Sequence, residues 1–283
     1  MRDQIHSGVD LKALRQKMEK RDAAGARMDK GFKRENFSIN DLSLDWIKTS
    51  SSLDERVFLY LHGGGFCFRT PIMHGQFLAS LCKNTASTGL MPGYRLAPEH
   101  LFPAAFNDCL ASYLWLLEKG YQPKNIILGG DSAGGALSLG LLIHLRDEGL
   151  PLPACAILIS PGLDPTFSGP SMQNNKEKEN MFTPDALEAF FNAYLPDDLR
   201  EDERLALLDY DYGSLPPILI QAGGNEILLD DSVRAAERAK DAGVDVELQI
   251  FENMSHVFQL FSWLPETKKA RKNIISFIDQ HLS

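Results

Sequence analysis

Short apolar runs alternate with longer helical patterns from about residue 53 to the end of the chain. The runs are apolar on both faces and end at glycine, proline or polar residues; they span 57–61, 126–128, 156–159 and 218–220. The helical patterns span 103–118, 133–146, 232–242 and 266–281. Strands that are apolar on both faces are typical of a parallel sheet that helices cover on each side. The alternation therefore predicts a doubly wound α/β sheet flanked by helices.

Three further strands complete this prediction. Alternating polar and apolar residues at 246–251 indicate a strand near the sheet edge, and 37–39 with 44–47 indicate an antiparallel opening pair. Two segments stand outside the alternation. Residues 1–30 carry apolar side chains at helical spacing, and residues 165–208 contain a polar run followed by an amphipathic helix. Insertions of this length in a compact α/β unit usually form lids or binding loops.

Charge and composition exclude several classes of function. The 283 residues carry 29 Lys and Arg against 38 Asp and Glu, a net charge of −9, which argues against binding nucleic acid by bulk electrostatics. No apolar run approaches the roughly 20 residues that cross a bilayer, so no stable membrane insertion is expected. The first residues lack the apolar core of a secretory signal. The four cysteines form no C-x-x-C pair, and we interpret them as reduced, buried residues of a cytoplasmic protein.

Residues 130–134, Gly-Asp-Ser-Ala-Gly, form a G-x-S-x-G motif between a buried strand and a long helix. This is the context of a nucleophile elbow, a sharp strand-to-helix turn that holds its serine in a strained conformation. Side chains at Gly130 and Gly134 would collide in such a turn. The motif predicts that the hydroxyl of Ser132 stands clear of the sheet, at the positive end of the following helix, as a nucleophile.

A glycine-rich loop, His62-Gly-Gly-Gly65, follows the apolar run at 57–61. Its bare N–H groups can face the oxygen that becomes negative when a serine attacks a carbonyl, and removing one such donor typically costs on the order of 10²–10³ in turnover. We interpret the loop as an oxyanion hole that His62 anchors. His74 and His100 follow in loop-like segments, and we interpret both as structural or surface residues.

A nucleophilic serine needs a base and an acid, which follow it in the chain order serine, acid, histidine. His256 lies in the loop after the strand at 246–251, where a catalytic histidine is expected. The loop after the preceding strand supplies Glu226, Asp230 and Asp231. Glu226 comes first, whereas aspartates at the start of a helix are also explained as caps. We therefore favour Glu226 as the acid and keep Asp230 as the alternative.

Five segments together resemble the hormone-sensitive-lipase family of bacterial carboxylesterases. They are His62-Gly-Gly-Gly-Phe66, Tyr94-Arg-Leu-Ala-Pro-Glu-His100, Gly130-Asp-Ser-Ala-Gly-Gly135, Ser160-Pro161 with Asp164, and Asn253-Met-Ser-His256. The resemblance implies an α/β-hydrolase fold, with its catalytic core at 46–164 and 209–283. It also implies a helical cap, formed by the N-terminal helices and a lead-in strand at 1–45 and by a second segment at 165–208.

The resemblance also implies roles for individual residues. The oxyanion donors are the N–H groups of Gly64, Gly65 and Ala133. The acid falls on Glu226, where the family usually has aspartate; glutamate is one methylene longer, so its loop must sit further from His256. Neither a metal nor a cofactor is part of this mechanism.

Three further expectations concern structure around the site. Gly93 stands where the family commonly has an acidic residue. Arg95 and Glu99 are expected to brace a loop by a charge-assisted contact. The family resemblance implies a possible homodimer joined near the strand at 246–251, which would cover an exposed sheet edge.

These features predict a serine carboxylesterase that cleaves small, short- to medium-chain acyl esters, up to octanoyl, through an acyl-enzyme. The catalytic rate is expected to fall as the pH drops through roughly 6–7, because His256 must be neutral to act as the base. A lactone hydrolase or an amidase with the same three residues is the alternative. A ligand receptor without activity on the same fold is disfavoured, because His256 is present.

Overall fold

An eight-stranded sheet forms the centre of the described structure, a computed structural model that covers residues 8–25, 31–196, 199 and 202–282. The strands are β1 (Phe32–Ile39), β2 (Leu42–Thr49), β3 (Val57–Leu61), β4 (Thr88–Pro92), β5 (Ile126–Asp131), β6 (Cys155–Ile159), β7 (Ile218–Gly223) and β8 (Val246–Phe251). Their order is β1-β2-β4-β3-β5-β6-β7-β8. The six strands β3 to β8 are parallel, whereas β2 pairs antiparallel with both β1 and β4. The predicted doubly wound α/β sheet is confirmed.

Helices cover both faces of this sheet. The helices in the described ranges are α1 (Leu11–Gly25), α2 (Pro71–Thr85), α3 (Ala104–Glu118), α4 (Ala133–Asp147), α5 (Ser171–Asn174), α6 (Pro184–Tyr194), α7 (Leu229–Asp241) and α8 (Pro265–His281). One apolar cluster joins the sheet to α3, α4 and α7, and a second joins it to α2 and α8. The predicted second cap segment contains α5 and α6.

Strand β3 shows why its sequence suits this position. Leu59 and Leu61 belong to the cluster with α3, α4 and α7, whereas Phe58 and Tyr60 belong to the cluster with α2 and α8. All four side chains are fully buried. Because successive side chains of a strand point to opposite faces, a run of five apolar residues is buried only where both faces are covered.

Strand β4 and helix α2 were not among the predicted elements. Strand β4 contains Gly89 and Pro92, which both disfavour a strand, and the structure shows the reason for the glycine. A Cβ at position 89 would lie 2.7 Å from a methyl carbon of Leu78, so glycine lets α2 pack close to the sheet. Helix α2 carries His74, and the expected loop position of this histidine was therefore wrong. The antiparallel pair of β1 and β2 is confirmed, with Phe37 opposite Leu44.

The expected contact between Arg95 and Glu99 was wrong. Asp108 on α3 accepts the backbone N–H of Arg95 over 2.8 Å and its guanidinium over 2.8–3.1 Å. Glu99 instead pairs with Arg15 on α1, with 3.0 Å between Oε2 and Nη2. Arg95 and Glu99 are close in sequence, but the fold brings each of them to a different partner of opposite charge, Asp108 and Arg15, and these contacts form instead.

Arg15 and Asp22 attach α1 to the body of the protein. Arg15 donates through Nε to the carbonyl of Cys67 over 2.6 Å, and it also reaches the carbonyl of Ala97. The carboxylate of Asp22 accepts the N–H groups of Ile72 and Met73 at the start of α2, over 2.8 and 3.1 Å. Helix α1 is therefore bonded to the segment that follows the glycine loop. No helix within the described ranges is long and apolar enough to cross a bilayer.

The Asp108→Ala variant is expected to lower the free energy of unfolding by about 2 kcal/mol, because it removes the acceptor for one N–H and one guanidinium. The control is Glu99→Ala, which removes a more exposed carboxylate and is expected to cost less than about 1 kcal/mol. Urea denaturation of both variants measures the two losses. Equal losses would show that the contact with Asp108 has no special weight.

Candidate active site

The nucleophile elbow lies between β5 and α4. Ser132 has φ of 53° and ψ of −119°, which is the strained conformation expected of the motif. Its N–H donates to the carbonyl of Ile159 on β6 over 2.8 Å. A Cβ at Gly134 would overlap the backbone of Leu61 on β3, so glycine is required for α4 to start this close to the sheet. The elbow places Ser132 at the C-terminal edge of the sheet, directly before α4.

The glycine loop lies beside this elbow. Gly63 donates its N–H to Oδ1 of Asp131 over 2.9 Å. Gly64 and Gly65 have φ of 121° and 57°, a region of backbone conformation that favours glycine. Within the described part of the chain, the N–H groups of Gly64, Gly65 and Ala133 donate to no other residue. These three groups are therefore available to the oxygen of a ligand.

Glu226 and His256 form a buried pair. Nδ1 of His256 donates to Oε2 of Glu226 over 2.9 Å. Oε1 of the same carboxylate accepts the hydroxyl of Ser160 over 2.7 Å and the N–H of Gly223. The N–H of Val257 donates to the Ser160 oxygen over 3.2 Å. Both oxygens of the carboxylate thus have donors, which fixes the carboxylate and orients the imidazole.

The surroundings of His256 favour its charged form. Burial lowers the pKa of His256, but the hydrogen bond and the negative charge of Glu226 outweigh burial, so the pKa lies above the ordinary 6.5. Glu179 acts in the same direction; it is fully buried, and burial raises its own pKa. Phe182 packs edge-on against the imidazole, with ring centroids 4.6 Å apart. The imidazole is therefore held by the hydrogen bond to Glu226 and by the ring of Phe182, and the charge of Glu179 adds to that of Glu226.

Ser132 and His256 line one open cleft, whose empty volume, counted together with the solvent at its mouth, is about 800 Å³. The other lining residues come from α1, the glycine loop, α2, the second cap segment and the loop after β8; they are Met18, Gly63, Gly64, Gly65, Phe68, Arg69, Thr70, Met73, His74, Asp131, Met181, Phe182, Leu187, Phe190, Val257 and Leu260. Nε2 of His256 is buried and has no hydrogen-bond partner among the described residues. The hydroxyl and the imidazole therefore share the cleft without a direct hydrogen bond, a contact that often tightens only when substrate binds.

The other acids considered from the sequence lie away from the imidazole. Asp230 accepts the N–H of Ser171 on α5 over 2.5 Å. Asp231 accepts two N–H groups of the loop after β6, and burial raises its pKa to about 7. Neither carboxylate bonds to His256. Of the three acids, Glu226 is the one that the structure brings to the histidine.

The second cap segment contributes part of the apolar lining. Phe182, Leu187 and Phe190 of this segment line the cleft. Phe191 and Tyr194 instead pack against the phenylalanine that follows the glycine loop, with ring centroids 6.0 and 3.9 Å away. A helical stripe of apolar side chains is also what packing against the core requires, so the stripe alone does not separate the two roles.

Asp131 is a positioning residue that no sequence pattern indicated. It is buried, and it accepts the hydroxyl of Tyr60 over 2.7 Å, the N–H of Gly63 and Nε2 of His74 over 3.3 Å. Burial lowers the pKa of His74, but the charge of Asp131 outweighs it, so this pKa is raised. Asp131 joins the elbow to the glycine loop. Its position beside Ser132 was the available signal, but none of its partners is near it in sequence.

The histidine that begins the glycine loop is structural. His62 stacks on Tyr94 with ring centroids 4.1 Å apart, and Nδ1 lies 2.8 Å from the carbonyl of Gly63. Burial lowers its pKa to about 3, so the ring is neutral. Across the described ranges, no group of three or more histidine, cysteine or acidic side chains could hold a metal ion.

Comparisons with known proteins agree with this geometry. Residues 58–260 match the model of a family described as having the alpha/beta hydrolase fold. An esterase of Acinetobacter venetianus is 37% identical over 233 residues, 82% of this chain and 77% of the relative. An acetyl-hydrolase of Streptomyces hygroscopicus is 35% identical over 237 residues, 82% of this chain and 78% of the relative.

A solved structure extends the likeness to almost the whole fold. The crystal structure of an esterase from the bacterial hormone-sensitive-lipase family superposes with a TM-score of 0.91 at 36% identity, covering 96% of this chain and 92% of that one. The class that the fold and the relatives define is that of carboxylic-ester hydrolases. Within it, this chain belongs to the hormone-sensitive-lipase family of the α/β-hydrolase fold.

The Glu226→Gln variant is expected to lower the pKa of His256. Burial lowers the pKa of His256, and Glu226 raises it. A neutral side chain of the same size removes the raising effect, so burial lowers this pKa further. NMR titration of the imidazole protons measures the shift without any substrate. The matched control, Asp230→Asn, is expected to leave the pKa of His256 in place; a shift of equal size in both variants would count against the pairing with Glu226.

Proposed function

We propose that this protein hydrolyses short- to medium-chain carboxylic esters through an acyl-enzyme on Ser132. His256 is the base, Glu226 is the acid, and the N–H groups of Gly64, Gly65 and Ala133 form the oxyanion hole. The observation that carries the proposal is the 2.9 Å contact between Glu226 and His256 in the cleft that Ser132 also lines. The relatives named esterase and acetyl-hydrolase support the ester as the bond that is cleaved.

The first half of the reaction makes the acyl-enzyme. Nε2 of His256 takes the hydroxyl proton of Ser132 as Oγ bonds to the ester carbonyl carbon. The carbonyl oxygen becomes negative and is held by the backbone donors of the oxyanion hole, beside the positive end of α4. The bond to the alcohol oxygen then breaks, and the imidazolium gives its proton to the departing alcohol. Glu226 keeps the imidazole oriented and stabilises its cation without taking the proton.

The second half releases the acid. Water gives a proton to Nε2 of His256 while its oxygen bonds to the acyl carbon, and the same backbone donors hold the second oxyanion. The bond to Oγ breaks, and the proton returns to Ser132. His256 must be neutral at the start of each half, so activity falls as the pH drops through its pKa. Because Glu226 raises that pKa, the fall begins at a higher pH than for an unperturbed histidine.

Hydrolysis of p-nitrophenyl butanoate tests the assignment. Ser132→Ala is expected to lower kcat by at least about 10⁴-fold, because it removes the nucleophile. Glu226→Gln is expected to lower kcat by about 10³- to 10⁴-fold, because it removes the anion that orients His256. The matched control Asp230→Asn is expected to retain most of the activity. An inactive Asp230→Asn beside an active Glu226→Gln would transfer the role of the acid to Asp230. Full activity in Ser132→Ala would end the proposal.

We infer short to medium acyl chains from the lining of the cleft. Phe182, Leu187 and Phe190 of the second cap segment face it, and they offer an apolar but limited surface to an acyl chain. Met18 of α1 lines the same cleft, so we propose that α1 and the segment with α5 and α6 form the cap over the ester.

A panel of p-nitrophenyl esters from acetyl to hexadecanoyl measures the acyl preference. The expected maximum of kcat/KM lies at or below octanoyl, and the rate is expected to show no increase when the substrate passes its solubility limit, because the cleft already opens to solvent. Lactones and matched p-nitroanilide amides belong in the same panel. Faster cleavage of hexadecanoyl esters, or of the amides, would contradict the proposal.

We further propose a homodimer of cytoplasmic protomers. Strand β8 pairs with β7 on one side and forms the edge of the sheet, where Ile250 is 45% exposed. A second copy paired along this edge would cover those unpaired strand groups. All four cysteines are buried as free thiols, which suits a reducing compartment.

A further inference from the structure

Arg69 introduces a positive charge into the active-site cleft. It is the only arginine or lysine among the described residues that line the cleft. Most of the remaining lining is apolar and includes methionine and phenylalanine side chains. The charge lies close enough to the glycine loop to contribute to the lowered pKa of His62, after burial and His74. Arg69 therefore belongs to the wall of the cleft in which we propose that the ester binds.

The other titratable groups of the cleft are committed to partners. Asp131 and His74 form a hydrogen bond with each other. His256 forms a hydrogen bond with Glu226, which does not line the cleft. Arg69 has a single ion pair among the described residues, a long contact of 3.4 Å from Nε to Oε1 of Glu19 on α1. Its terminal Nη1 and Nη2 atoms donate to no described residue. Both side chains of this ion pair are partly exposed, 40% for Arg69 and 37% for Glu19.

The absence of a side chain at Gly93 makes room for this guanidinium. A Cβ at position 93 would lie 2.8 Å from Nη1 of Arg69. The backbone of Gly93 is outside the left-handed region, so conformation alone does not demand glycine there. An acidic side chain at this position would form an ion pair with Arg69 and neutralise the guanidinium. The chain instead leaves the two terminal nitrogens beside a position with no anion.

We propose that Arg69 is a specificity-determining residue that selects esters carrying a second, ionised carboxylate. The inference rests on the proposed ester hydrolysis at Ser132. The guanidinium offers two parallel N–H donors, a geometry that matches a carboxylate. An anionic substrate loses its hydration on entering an apolar cleft. The guanidinium of Arg69, which has no close ion-pair partner among the described residues, can compensate for this loss by pairing with the substrate carboxylate.

Two pairs of isosteric esters isolate the charge of the substrate. Monoethyl succinate carries the carboxylate on the acyl side, and ethyl 4-methylpentanoate replaces that carboxylate with an isopropyl group of similar shape. The acetyl ester of 3-hydroxypropanoic acid carries it on the alcohol side, and 3-methylbutyl acetate is its neutral counterpart. The measured quantity is the ratio of kcat/KM for the anionic ester to kcat/KM for its neutral partner.

The Arg69→Met variant keeps an unbranched apolar stem but removes the charged guanidinium, and it is expected to lower this ratio by about tenfold for at least one pair. Gly93→Asp is expected to lower the same ratio with Arg69 still present, because the new carboxylate occupies the guanidinium. Glu19→Gln is expected to raise the ratio, since it removes the competing anion. Lys20→Met removes a cation from the exposed side of α1 and is expected to leave the ratio unchanged.

The pair that responds shows whether the carboxylate lies on the acyl or the alcohol side. Equal ratios in the unmodified protein and in Arg69→Met, for both pairs, would overturn the role of Arg69. An equal fall in Lys20→Met would overturn it too, because the effect would then come from net charge. If the unmodified protein cleaves none of the four esters, nor p-nitrophenyl butanoate, the proposed function itself has failed.

Discussion

The hydrogen bonds of one buried carboxylate determine how the catalytic edge of this sheet is assembled. Glu226 is fully buried, and a carboxylate in that position is stable only if donors replace its lost water. The donors come from Ser160 after β6, Gly223 at the end of β7 and His256 after β8. Three adjacent strands must therefore end in register for the charge to be satisfied. The same requirement fixes the histidine, so stability of the edge and orientation of the base have one cause.

Asp131 repeats this arrangement on the other side of the nucleophile. It is buried beside Ser132, and its donors are Tyr60 on β3, the N–H of Gly63 in the glycine loop and His74 on α2. One carboxylate thus orients the imidazole, while the other positions the loop that carries the backbone donors. The strained backbone of the elbow is held between them, since a conformation of this kind persists only where its surroundings over-determine it.

Features that depend on local sequence could be predicted, and those that depend on distant partners could not. The buried strands, the elbow at Ser132 and the position of His256 follow from short patterns whose physical meaning does not depend on the rest of the chain. Glu226 was favoured over Asp230 only by its place after β7, and the structure agrees on the placement. Arg95 was paired with the wrong acid because its true partner lies 13 residues away. The bond of His74 to Asp131, 57 residues away, was missed for the same reason. No periodicity marks such contacts.

The separation between the strand ends and the loops and helices around them explains where substrate selection can vary. Ser132, Glu226 and His256 lie on strand ends and the turns after them, where a shift would break buried hydrogen bonds. The charge in the lining of the cleft does not depend on these strand ends. Arg69 lies on the loop after β3, and its partner Glu19 lies on α1. Hydrogen bonds of Arg15 and Asp22 attach α1 to the same region. A change of charge at Arg69, Glu19 or Gly93 alters what the cleft attracts while leaving the hydrogen bonds of Glu226 and Asp131 intact. Selection of substrate can therefore change without rebuilding the chemistry.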